Sequence, residues 1–232
     1  MTFRNKDVAP SRARVLNDVL LTRAHELNRD YVELLVTQSK ARHDVEGLPL
    51  RLLYELAALS APARMRFAAA PFMLYSLGFE DQHLWRAILE DERVAAPQDR
   101  YVVSNAPSAT AFCEVALFFA WHTAVLNRFA ARMLFSMPDA IAERIVQTPL
   151  WRLRRIAAEF PGLLLPRWPS NPAFWPDLLR FAAAGDWQRL EMTQLLGSQL
   201  IAAELDAAAE EEENGMRSRN RRAELARMRR RG

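Results

Sequence analysis

The chain has 232 residues, 50% apolar and 25% charged, with 7 Gly, 13 Pro and a single Cys. Half-apolar composition at a formal net charge of +3 describes a globular protein and excludes a disordered one. One cysteine excludes a disulfide framework, no Cys/His spacing suggests structural zinc, and the seven glycines form no recognised phosphate-cradling loop.

Charge is unevenly distributed. Residues 216–232 hold eight arginines against one acid, Glu224, a local net of +7 that leaves residues 1–215 at −4. The basic isoelectric point of about 9.4 therefore belongs to the C-terminal segment. Only Lys6 and Lys40 are lysines among the 31 basic residues, a bias that, with the many alanines, reads as the composition of a GC-rich bacterial genome. The first residues carry charge and no apolar run, which predicts neither a secretory signal nor export and makes the cytoplasm the expected compartment.

In chain order, residues 11–40 read as a long amphipathic helix whose Leu20, Ala24, Leu27, Tyr31 and Leu34 step by three and four, the spacing of a packing seam. A shorter helix is expected over 48–59, and Ser60 reads as the cap of a helix from Ala61 to Ala70 that Pro71 ends. The run Phe72–Leu77 is ambiguous between helix and a short extended piece, and Gly78 stops it. Asp81 starts a further helix to about Ala95, and residues 96–108 form a polar interruption in which Tyr101-Val102-Val103 is a candidate extended segment.

From Ala106 to Leu126 the chain is apolar enough, and long enough, to cross a bilayer. Glu114 and His122 within it argue against a membrane span, so the reading is a buried central helix over 108–135, ended by Pro138. Ile141 and Ile145 mark the next helix, Thr148 reads as the cap of one over 150–160, and Asn171-Pro172 reads as cap and first position of one to Ala184. Gly185 and Asp186 are a stop followed by a start, with the last helix running from Trp187 past Leu205. The expected fold is all-α: a single irregular bundle of about eight helices over 1–209, around the buried 108–135 helix, with 210–232 a charged, disordered tail.

Chemistry is sparse. No nucleophile elbow, metal set or cofactor motif is present, so no cofactor or metal is expected and an enzymatic role is unsupported. Trp151, Trp168 and Trp175, interleaved with Arg155 and Arg167 around a proline-rich stretch, read as a protein-binding face, because tryptophan and arginine concentrate at binding hot spots. The expected function is that of a non-catalytic adaptor, chaperone-like or regulatory protein with an unidentified protein partner. Two alternatives stand beside it. Arg217, Arg219, Arg221, Arg222, Arg229, Arg230 and Arg231 could grip nucleic-acid phosphates, and Glu114 with His122, two turns apart on one helix, could line a ligand pocket.

Overall fold

Amphipathic helices bury their apolar stripes against one another, and that rule organises most of this chain. The computed structural model describes residues 18–40, 47–90 and 107–229, with side chains to Arg217. Ten α-helices are described: α1 (Asp18–Lys40), α2 (Leu50–Ala57), α3 (Ala61–Ala68), α4 (Gln82–Glu90), α5 (Pro107–Leu126), α6 (Arg128–Phe135), α7 (Asp139–Gln147), α8 (Leu150–Glu159), α9 (Phe174–Ala184) and α10 (Trp187–Arg229). Two short strands, β1 (Tyr75–Ser76) and β2 (Leu165–Pro166), interrupt them. The fold is an all-α multi-helix bundle. The expected Tyr101–Val103 segment lies outside the described residues.

The α1 seam is buried at all five positions and packs mainly on α2, α3 and α5. Local capping follows the side chains. Ser60 accepts the Ala63 N–H, Asp81 accepts the Leu84 N–H, and Gly185 ends α9 in the left-handed region before Asp186 accepts the Arg189 N–H. Asn171 accepts from the backbone of Ala173 and Phe174, two residues later than a Pro172 start implies, so α9 opens at Phe174. Thr148 does not cap α8. Its hydroxyl donates back to the Arg144 carbonyl, and Pro149 occupies the cap position of α8.

Three further expectations need correction. The helix placed over 108–135 is two helices, because Asn127 takes an extended backbone (φ −158°, ψ 99°) and its Oδ1 accepts the Ala130 N–H to cap α6. The first of these, α5, is buried on one side only. Ala109, Cys113, Ala116, Leu117, Ala120 and Ala124 pack inward, while Ala111, Val115, His122, Val125 and Leu126 face out. It is long and apolar enough to cross a membrane, and 39% of that stretch is buried in the protein.

Third, the last helix does not end in the glutamates. It continues through Asn214-Gly215 to Arg229, where strong helix formers and favourably ordered pairs such as Glu213–Arg217 at 2.6 Å support it. Its packed half is pinned at several points. Gln194 donates to the Ala69 carbonyl, the α4 side chain Gln82 donates to the Ala208 carbonyl, and Gly197 presses on Phe72 so closely that a Cβ would lie 2.2 Å from the ring. From Glu213 to Arg217 every described side chain is exposed.

Candidate functional site

The two strands look trivial, yet they position Arg167, the one charged residue buried among the described residues. β1 and β2 pair antiparallel, Tyr75 opposite Pro166 and Ser76 opposite Leu165. Proline cannot donate to a ladder, so the pairing continues one residue on, where the Arg167 N–H donates to the Leu74 carbonyl at 3.0 Å. Leu74 is itself fixed from behind. Its N–H donates to Asn28 Oδ1, while Asn28 Nδ2 donates to the carbonyls of Phe72 and Ala68. A fully buried asparagine thus clamps the strand that orients Arg167.

Arg167 is only 2% exposed. Its carbonyl accepts the Trp175 indole N–H at 2.6 Å, and its Nη1 donates a long bond of 3.4 Å to the Leu134 carbonyl. Nε and Nη2 have no partner. Burial pulls the guanidinium pKa down, and the nearby charges of Glu204 and Glu80 oppose that pull. An arginine stays protonated under such opposition, so a cation with two unused donors sits inside the protein.

Around it lies a cavity of about 200 Å³, lined by Ser76 and Glu80, by residues 165–169, and by Glu204 of α10. Glu204 accepts from two donors, Trp168 Nε1 at 2.5 Å on one oxygen and Ser136 Oγ on the other. Both donors have left-handed backbones, Trp168 at φ +49° and Ser136 at φ +52°. For a bulky residue followed by proline, as Trp168 is by Pro169, that conformation is a true outlier. It persists because the indole is held on every side: by Glu204, by edge contacts to Phe174 at 4.7 Å and Phe72 at 5.5 Å, and by the Arg167 guanidinium 5.2 Å from its ring.

Ser76 Oγ donates to the Glu80 carboxylate at 3.0 Å and accepts the Gly78 N–H. Glu80 keeps solvent access at the residue level, so it stands at the rim, and desolvation on its packed side pushes its carboxyl pKa up. A second, shallower cleft of about 320 Å³ lies between α9 and α10 beside Phe181 and Arg189. Its charges are already paired, Asp177 with Arg180 and Asp186 with Arg189.

The structure distributes the residues singled out from sequence over several places. Trp175 is buried and serves Arg167, and Trp168 forms part of the cavity. Trp151 is 64% exposed on α8 with the Arg155 guanidinium 5.9 Å from its ring, and Arg155 also pairs with Glu159. Glu114 and His122 are on the outer side of α5 and not in an interior pocket. Glu114 meets Arg154 of α8 at 3.5 Å, and His122 is exposed. Arg217 pairs with Glu213. The side chains of Arg219, Arg221, Arg222 and Arg229, together with Arg230 and Arg231, lie outside the described residues.

Sequence reasoning missed Glu80, Ser136 and Glu204, and it met Arg167 only as one arginine among the tryptophans. The available signal was Trp168-Pro169, a large side chain in a position where proline restricts the backbone. Among the described residues no cluster of His, Cys, Asp and Glu could hold a metal ion. Comparison with protein-family models, with curated proteins and with solved structures finds no match to this chain.

Proposed function

We propose that this chain is a non-catalytic interaction protein that docks an amphipathic helix of a partner protein along the outer side of α5. The observation that supports this reading is that most of the exposed residues on that helix are apolar. A helix at the surface of a soluble domain normally turns charged and polar residues outward. Here Ala111, Val115, His122, Val125 and Leu126 are exposed, with Leu126 at 59%, and Phe129 of α6 follows at 52%. The stripe from Ala111 to Leu126 is about 22 Å long at 1.5 Å per residue, enough for four turns of a second helix.

Trp151 and Arg154 share a face of α8, and Arg154 reaches Glu114 on α5, so the exposed indole borders the same stripe. Arginines 154 and 155 at this border favour a partner helix with acidic flanks. Trp151 and Arg155 are the residues from the tryptophan-rich region that suit the role.

The test is site-specific photo-crosslinking from Val125 in the full chain in its native host. One defined protein adduct, lost in the Val115→Glu/Leu126→Glu variant at unchanged melting temperature and retained on deletion of 216–232, supports the reading. Adducts only to lipid or to a second copy of this chain would sink it. Nucleic acid bound by the full chain, released by salt and absent from the deletion, would instead favour the arginine segment as the working part.

A further inference from the structure

The last helix carries an interaction surface of its own, independent of the outer side of α5. Ala202, Asp206, Ala209, Glu213 and Met216 step by three and four along α10, and all five are exposed, Met216 at 52%. This row stands one residue, about 100° of helical turn, from the buried row of Ile201, Leu205 and Ala208 that seats α10, so a second helix has room to lie along it. Glu212 still reaches Arg86 of α4 at 4.0 Å, whereas a Cβ added at Gly215 would meet nothing within 4 Å. From there the helix backbone runs on to Arg229.

Charge divides this helix into two halves. Residues 204–213 hold six acids and no base, and residues 217–231 hold eight arginines and one acid. Helical neighbours three and four positions apart can neutralise each other, yet Glu210, Glu211, Arg219 and Arg222 have no opposite charge at that spacing. A partner covering the whole surface must therefore be basic beside the first half and acidic beside the second. Nucleic acid suits only the basic half and is repelled by the other. A second copy of the helix running antiparallel has the required order, and a parallel copy would set acid against acid.

We propose that this chain forms an antiparallel homodimer through residues 203–229 of α10, with the two-fold axis at Met216. Equal steps on either side of Met216 bring Glu213 level with Arg219 and Ala209 level with Ala223, and Asp206 falls within one residue of Arg227. Each pairing occurs twice, as an isologous contact requires. Small residues in the row let the two axes approach to about 8 Å. The overlap is about 40 Å long at 1.5 Å per residue.

Sedimentation equilibrium of the full, nuclease-treated chain tests this. The expected mass at low salt is twice the 26.6 kDa of the monomer. The dissociation constant should rise about tenfold or more between roughly 0.05 and 0.5 M salt. Asp206→Arg/Glu213→Arg and Arg219→Glu/Arg227→Glu should each be monomeric, and their equimolar mixture should recover the dimer, because one helix is then wholly basic and the other wholly acidic. Met216→Cys reports the axis directly: mild oxidation should link two copies through it, while Glu211→Cys, about 140° around the helix, should link far more slowly. Cys113 is buried and stays out of that reaction. The proposal is overturned if the nuclease-treated chain is monomeric at low salt, if the charge variants dimerise alone as well as wild type, if their mixture stays monomeric, or if Glu211→Cys links as fast as Met216→Cys.

Discussion

Ser136 and Trp168 donate to opposite oxygens of one carboxylate, that of Glu204, and they are the two non-glycine residues with left-handed backbones among the described residues. The coincidence has a physical reading. Each conformation costs on the order of 1–2 kcal/mol for an L-residue, and a hydrogen bond to a charged acceptor is worth ~1.5–3 kcal/mol. The shared acceptor is therefore strong enough to hold two strained turns, and those turns place the indole and the Leu134–Met137 segment around Arg167.

Replacing Ser136 separates the two contributions. Ser136→Ala loses the hydroxyl and keeps the strained backbone, so it should destabilise by about 2 kcal/mol. Ser136→Gly loses the same bond and relieves the strain, so it should be about 1 kcal/mol more stable than the alanine variant. Urea denaturation of both proteins measures the difference. Equal midpoints would show that φ +52° at Ser136 stores no strain.

Gly197 should show a reversed sign. In an exposed helix interior, alanine stabilises relative to glycine by about 1 kcal/mol. Here the added Cβ would fall 2.2 Å from Phe72 Cζ, inside a packed contact between α10 and the segment before β1. Gly197→Ala is expected to destabilise by about 1–3 kcal/mol. Phe72→Leu in the same chain should return part of that loss, and thermal melts of the single and double variants decide it.

Asn28 is expected to be sensitive beyond its size. Asn28→Ala strands two carbonyls and one N–H in the interior, which costs ~3 kcal/mol or more. Since Leu74 also accepts the Arg167 N–H, the variant should disturb the tryptophan environment as well as lower the melting temperature. Near-UV circular dichroism identical to wild type in the folded variant would contradict this connection.

Alkaline stability follows from Cys113. Burial pushes its thiol from 9.0 up to about 12. In the unfolded chain the thiol ionises near pH 9, while the folded protein holds the proton, so stability falls as pH rises from about 9 towards 12. Tyr31 and Tyr75, whose phenols burial raises well above 10, act in the same direction. Denaturation midpoints between pH 8 and 11 should decline less steeply in Cys113→Ala. The native thiol should also ignore Ellman's reagent at pH 8, and rapid labelling under native conditions would refute its burial.

The helical scaffold was legible because it rests on local rules: the α1 seam, the Ser60 and Asp81 caps and the Gly185 stop are all written within a few neighbouring residues. The Asn127 break was less visible, since one capping side chain had to override an apolar run that continues on both sides of it. The outward turn of α5 could not be read from periodicity, because apolar residues occupy both of its faces. The Arg167 site was illegible for another reason. Ser76, Glu80, Ser136, Arg167, Trp168 and Glu204 come from four separate stretches of chain, and a two-residue strand pairing is what brings the first and third together.

That same scatter sets an order on biosynthesis. Ser136 and Trp168 leave the ribosome before Glu204 does, and until α10 is made and seated neither strained turn has its acceptor. The interior around Arg167 therefore closes only after residue 204 has emerged and α10 has seated. A nascent or truncated chain that stops short of residue 204 cannot complete it, however many of its other helices have already formed.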